Sequence, residues 1–142
     1  MLNELQRMNQ TKANTDSSEA DSRPIVFAVD DEPMLLELVT LVLEPLGYRV
    51  RTFHNPDTAV RAFALANPPP AVIITDYAMH TMTGMDLIRE CRRINPRQPI
   101  ILVSGTVDET IYRNSPVKPD CFLAKPYQAK QLGDMVKQLL PQ

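Results

Sequence analysis

Ile25-Val26-Phe27-Ala28-Val29 is an unbroken apolar run that stops at Asp30-Asp31. Three further runs have the same form. Ala71-Val72-Ile73-Ile74-Thr75 stops at Asp76, Ile100-Ile101-Leu102-Val103 at Ser104, and Cys121-Phe122-Leu123-Ala124 at Lys125-Pro126. Such short apolar runs suit strands covered on both faces, as in a parallel sheet. The carboxyl ends of parallel strands open onto one crevice, where ligands bind. The pattern therefore predicts three carboxylates, a hydroxyl and an ammonium gathered in one place.

Helical patterns fill the intervals. Pro33 suits a first helical turn, and Leu35, Leu38, Val39, Val42 and Leu46 recur on one predicted buried face before Gly47. A strand follows over 48–53, and Asn55-Pro56 opens a second helix that runs to about Leu65. A third helix over 84–94 turns Leu87, Ile88, Cys91 and Ile94 inward, and a last one over 128–140 aligns Leu132, Met135, Val136 and Leu139. Between the fourth and fifth strands only 108–114 can be helical, because Pro116 and Pro119 interrupt it. Five strands interleaved with helices predict a doubly wound α/β sheet.

The 142 residues suffice for one domain, here 24–142, preceded by a polar tail over 1–23 that is expected to be disordered. Leu2, Leu5 and Met8 share helical spacing, readable as a short docking helix or as stray apolar residues. A net charge of −2 argues against nucleic-acid or membrane partners. Cys91 and Cys121 read as buried free thiols, and no run is long enough to span a bilayer, so a cytoplasmic location is expected.

Converging carboxylates need a counter-charge: two like charges about 4 Å apart repel by roughly 4 kcal/mol at an effective dielectric near 20. Mg²⁺ meets that need through carboxylates and retained waters, and would screen an incoming phosphoryl group. Lys125 and Ser104 supply a cation and a donor for phosphoryl oxygens. Asp76, alone at a central strand end, is then the candidate nucleophile for an aspartyl phosphate, with Asp30-Asp31 as metal holders.

At these residues the chain resembles the receiver domain of two-component response regulators, closest in layout to the stand-alone chemotaxis type. The resemblance rests on Val29-Asp30-Asp31-Glu32, DYAMHTMTGMDL over 76–87, Val103-Ser104-Gly105 and Phe122-Leu123-Ala124-Lys125-Pro126. It implies a flavodoxin-like sheet in the order 2-1-3-4-5, a phosphoacceptor at Asp76, and Mg²⁺ held by Asp31, Asp76 and the Ala78 carbonyl, with Asp30 acting through water. It further implies a cis Lys125-Pro126 bond, phosphate contacts from Ser104 and Lys125, and a switch pairing Ser104 with Phe122. The implied partners are a sensor histidine kinase or histidine phosphotransfer protein and a downstream protein target, with the chain a monomer or weak dimer.

Three positions depart from the family pattern. His80 stands where a proline is usual, and reads either as a phosphate-edge donor or as an exposed histidine without chemistry. Phe122 lacks a tyrosine hydroxyl, and the fourth helix is short or irregular, which predicts an output face that orders on phosphorylation. Ala78 is too short to shield an acyl phosphate, whereas Thr106 is not, so spontaneous hydrolysis is expected. The first helix is more apolar than one buried face requires, with Leu36 and Leu43 on one flank and Met34 and Leu41 on the other. Leu36 and Leu43 are the predicted docking residues, the alternative being a wider buried arc covered by the tail or the last helix.

With no output domain expected after Leu140, a diffusible switch, a phosphorelay intermediate and a phosphorylation-independent docking module are the readings within the family. A phosphatase of the haloacid dehalogenase type would want an acid/base Asp where Ala78 stands. A flavin carrier would want a hydroxyl- and glycine-rich phosphate loop where Asp-Asp-Glu-Pro stands.

Overall fold

The computed structural model describes residues 22–106 and 108–140; the tail expected over 1–23 lies almost wholly outside them. Five strands are present: β1 (Ile25–Val29), β2 (Arg49–Phe53), β3 (Val72–Asp76), β4 (Ile100–Ser104) and β5 (Cys121–Ala124). They pair in parallel in the order β2-β1-β3-β4-β5. Four α-helices connect them: α1 (Pro33–Leu43), α2 (Pro56–Leu65), α3 (Gly84–Ile94) and α4 (Ala129–Leu139). This is the flavodoxin-like doubly wound sheet expected. The register aligns Val29 with Thr75 and Asp76 with Val103, which brings the polar strand ends level.

Strand alternation sends successive side chains to opposite layers. Val26 and Ala28 join α1 and α4 through Leu36, Val39, Leu43, Leu132 and Val136. Phe27 and Val29 join α2 and α3 through Phe63, Leu87, Ile88 and Cys91. Local chemistry sets the helix starts. The Asn55 side chain accepts from the Asp57 N–H, and Thr83 and Asp86 exchange the two bonds of a capping box. After α1 a 3₁₀ turn, Glu44–Leu46, ends on Gly47 at φ 101°, a left-handed conformation that favours glycine.

The phase of α1 differs from the sequence expectation. Leu36 and Leu43 are not a docking flank; they are 3% and 0% exposed and lie in the core. Leu38 and Leu46, expected inside, are exposed, as are Met34 and Leu41. Apolar residues surround so much of this helix that periodicity alone cannot choose its inner face; packing against the sheet and α4 selects Leu36, Val39 and Leu43. Ile94 is likewise exposed rather than inward, at the last position of α3.

The expected short helix between β4 and β5 is a 3₁₀ turn, Glu109–Ile111, followed by coil. Arg92 of α3 holds that coil: its Nη1 donates to the Lys118 carbonyl at 3.0 Å and its Nη2 to Asp120 at 2.8 Å. Its Nε donates to the carbonyl of Gln98, a fully buried side chain that itself bonds the Pro70 and Pro99 carbonyls.

The observed phase of α1 predicts unequal costs for two leucines of one helix. Leu43→Ala should destabilise by about 2–4 kcal/mol in urea unfolding, and Leu41→Ala by no more than about 0.5 kcal/mol. Equal losses would contradict the packing described.

Candidate functional site

Asp30 follows β1, Asp76 ends β3, Ser104 ends β4 and Lys125 follows β5, so the strand ends deliver all four to one crevice. One carboxylate oxygen from each of Asp30, Asp31 and Asp76 lies within 4.8 Å of the others. Lys125 Nζ sits 3.1 Å from Asp76 Oδ1 and 3.5 Å from Asp30 Oδ2. Asp30, Asp76 and Ser104 are buried, while Asp31 and Lys125 are partly exposed. The crevice thus holds three carboxylates against one ammonium.

Backbone hydrogen bonds hold the members in place. The Glu32 N–H donates to Asp30 Oδ1 at 2.9 Å, and Thr75 Oγ1 donates to the Asp76 carbonyl at 3.0 Å. The Lys125 N–H donates to the Ser104 carbonyl, which ties the lysine to the neighbouring strand. Ser104 Oγ accepts from the Thr106 N–H at 3.2 Å. Lys125-Pro126 is cis, as the resemblance implied.

Burial and neighbouring charges shift the ionisation of the site. Burial pushes the Asp30 carboxyl up to about 6 from an ordinary 3.8; the Glu32 N–H opposes this, Asp76 adds to it and Lys125 offsets it. Burial also raises Asp76, against the hydrogen bond and charge of Lys125. Burial alone would lower Lys125, but its bond to Asp76 and the charges of Asp30 and Asp76 outweigh that and hold it above its ordinary value. A hard divalent cation fits such an all-oxygen cluster.

The remaining predicted residues fall as follows. Ala78 is exposed in the loop after Asp76, and Phe122 is half-buried, its ring 6.2 Å from that of Tyr112. Leu36 and Leu43 stand in the core, away from any surface role. His80 is exposed, yet its Nε2 is 3.3 Å from Asp31 Oδ2, so it joins the rim of the acidic cluster.

Two participants, Gly84 and Tyr127, escaped the sequence reading. A Cβ on Gly84 would overlap the Asp76 carbonyl and come within 2.8 Å of Leu102, so only glycine lets α3 start this close to the strand end. The Gly84 N–H also donates to the Tyr77 carbonyl at 2.8 Å. Tyr127, two residues past Lys125, lines a cavity of about 20 Å³ together with Asp30, Asp76 and Lys125. The His80 contact with Asp31 carried no signal beyond its place in the loop.

A profile of the response regulator receiver domain matches residues 26–137. The chain belongs to the response regulator receiver domain family. It is 28% identical over 124 residues to the probable transcriptional regulatory protein TcrX of Mycobacterium tuberculosis, covering 85% of this chain and 52% of TcrX. It is 30% identical over 117 residues to the response regulator receiver protein CpdR of Brucella abortus, covering 82% of this chain and 95% of CpdR. The receiver therefore spans about half of one relative (52%) and nearly all of the other (95%). Among solved structures, response regulator TrrA of Thermotoga maritima in complex with Mg²⁺-BeF superposes with a TM-score of 0.72 at 28% identity, over 82% of this chain and 99% of TrrA. Among the described residues, no helix of this receiver is long and apolar enough to cross a membrane.

The raised Asp30 carboxyl fixes the sign of a pH effect in metal-free buffer. The folded state keeps this proton up to about 6, whereas the unfolded chain releases it near 3.8, so stability falls as pH rises through that window. Asp30→Asn should remove this part of the slope and be more stable than wild type above the window by about 1–2 kcal/mol. Urea unfolding across pH checks this, and a variant less stable than wild type at high pH would contradict it.

Proposed function

We propose that this receiver is a phosphorylatable switch in which Asp76 takes a phosphoryl group from a phosphohistidine. The donor is a sensor histidine kinase or a histidine phosphotransfer protein, and the product state changes binding to a downstream protein. The observation that carries this reading is the placing of Asp76 within a carboxylate triad and 3.1 Å from Lys125 Nζ.

In the transfer, an Asp76 carboxylate oxygen forms a bond to phosphorus while the phosphorus–nitrogen bond of the donor breaks. The electron pair returns to the donor imidazole, whose other ring nitrogen carries a proton, so the ring leaves neutral and Asp76 becomes the acyl phosphate. Asp30, Asp31, Asp76 and the Ala78 carbonyl would hold Mg²⁺, which when bound offsets charge on the transferring group. Lys125, with its Nζ 3.1 Å from Asp76 Oδ1, would exchange that contact for a phosphoryl oxygen. The Ser104 hydroxyl, at the end of the adjacent strand, supplies a donor on the phosphate's other side. Phe122, whose ring lies 6.2 Å from that of Tyr112 in the coil before β5, would couple a moved Ser104 to the output face. Ala78 leaves the phosphate uncovered on one edge, so water completes the cycle by hydrolysis.

The exposed Met34 and Leu38 near the start of α1 give the donor an apolar docking face beside the metal site. They replace Leu36 and Leu43 in that role.

Intact mass after incubation with acetyl phosphate and Mg²⁺ tests the chemistry. A metal-dependent phosphoryl adduct is expected on wild type and on Leu38→Asp, and none on Asp76→Asn. Transfer from a phosphohistidine donor should slow on the order of tenfold in Leu38→Asp. An adduct on Asp76→Asn would overturn the assignment of the phosphoacceptor. Equal slowing with both donors would overturn the docking face.

A further inference from the structure

The other end of α1 carries a second apolar surface that the phosphoryl chemistry does not use. Leu41, Val42, Pro45, Leu46 and Tyr48 face Gly133 of α4 across a groove of about 560 Å³. Leu41 is 66% exposed and Leu46 57%. Gly133 creates this relief, because a Cβ there would come within 2.9 Å of Leu46 Cδ1. Contiguous exposed leucines of this kind mark an interaction surface.

The chain itself brings a ligand to this groove. The Pro24 carbonyl accepts from the Arg49 N–H at 2.9 Å, one residue past Tyr48. Residues 1–21 therefore join the fold at the groove's Tyr48 end. Within them the large apolar residues are confined to 1–8, where Leu2, Leu5 and Met8 fall on one helical stripe. Residues 9–21 contain no large apolar residue, and a linker of that length has a reach of roughly 20 Å. A tether of this kind gives an effective concentration on the order of millimolar, so a weak apolar contact suffices for occupancy.

We propose that segment 1–8 docks in the groove between α1 and α4, inserting Leu2, Leu5 and Met8 against Leu41, Leu46 and Gly133. The polar residues 9–21 are the tether. The groove thus serves as an intramolecular receptor for the chain's own start, separate from the donor face at Met34 and Leu38.

Amide hydrogen exchange on the full-length chain tests this, with mass-resolved peptides covering 41–48 and 129–137. Leu5→Asp and Leu41→Asp should each raise exchange severalfold in both peptides and leave 56–65 in α2 unchanged. Leu41 is surface-exposed and Leu5 lies before the sheet, so unfolding would be recognised by increased exchange in 56–65. A synthetic peptide of residues 1–8 added to Leu5→Asp should restore protection, and should not restore it to Leu41→Asp. Protection in wild type should be independent of protein concentration. Unchanged exchange in Leu5→Asp would overturn the proposal. Protection that grows with protein concentration would overturn it too, in favour of a second copy of the chain in the groove.

Discussion

Three carboxylates share a crevice with one ammonium, and most of what distinguishes this receiver follows from that imbalance. A hydrophobic sheet would not gather Asp30, Asp31 and Asp76 within 4.8 Å for stability's sake; each loses solvation on burial and each repels the others. The fold imposes the meeting, since parallel strands β1 and β3 are in register and end together. Lys125 relieves part of the charge by bridging Asp30 and Asp76. The residual negative charge is what a hard cation held there would offset.

The same arrangement explains why so much depends on close backbone approaches. Gly84 allows α3 to begin against the Asp76 carbonyl, and the Tyr77 N–H is anchored to the Val103 carbonyl at 2.9 Å. Asp76 is consequently fixed from both sides while its carboxylate faces the opening. Across the sheet, the Lys125 N–H donates to the Ser104 carbonyl, which ties the end of β5 to the end of β4. Beyond them the usual helix is reduced to a 3₁₀ turn and a coil clasped by Arg92. The segment between β4 and β5 is therefore stabilised by side-chain bonds from α3 instead of by its own helical ladder.

The sheet and its polar edge were legible in the sequence because both are local signals. Four of the five strands announce themselves by an apolar run, and Asp30, Asp76, Ser104 and Lys125 each stand where one of those runs stops. Helix starts were legible for the same reason, as at Asn55-Pro56 and Pro33. The phase of α1 was not, because an apolar arc wider than its buried face leaves several rotations equally plausible; only contact with the sheet and α4 separates Leu36 from Leu38. The Arg92 clasp spans 26 and 28 residues of sequence, and the His80 approach to Asp31 also joins distant positions. No periodicity encodes such pairings. Gly84 was visible as a letter in a motif, but its reason, a carbonyl where a Cβ would be, exists only in three dimensions.

The central claim is that unbalanced carboxylate charge makes this crevice a divalent-cation site. Urea unfolding of the unphosphorylated protein across a range of Mg²⁺, against NaCl at matched ionic strength, measures it directly. Stability should rise logarithmically with Mg²⁺ once the site is half-filled, as linkage requires, and the rise should disappear in Asp31→Asn. Identical stabilisation by Mg²⁺ and by NaCl, or a full Mg²⁺ effect in Asp31→Asn, would contradict the account.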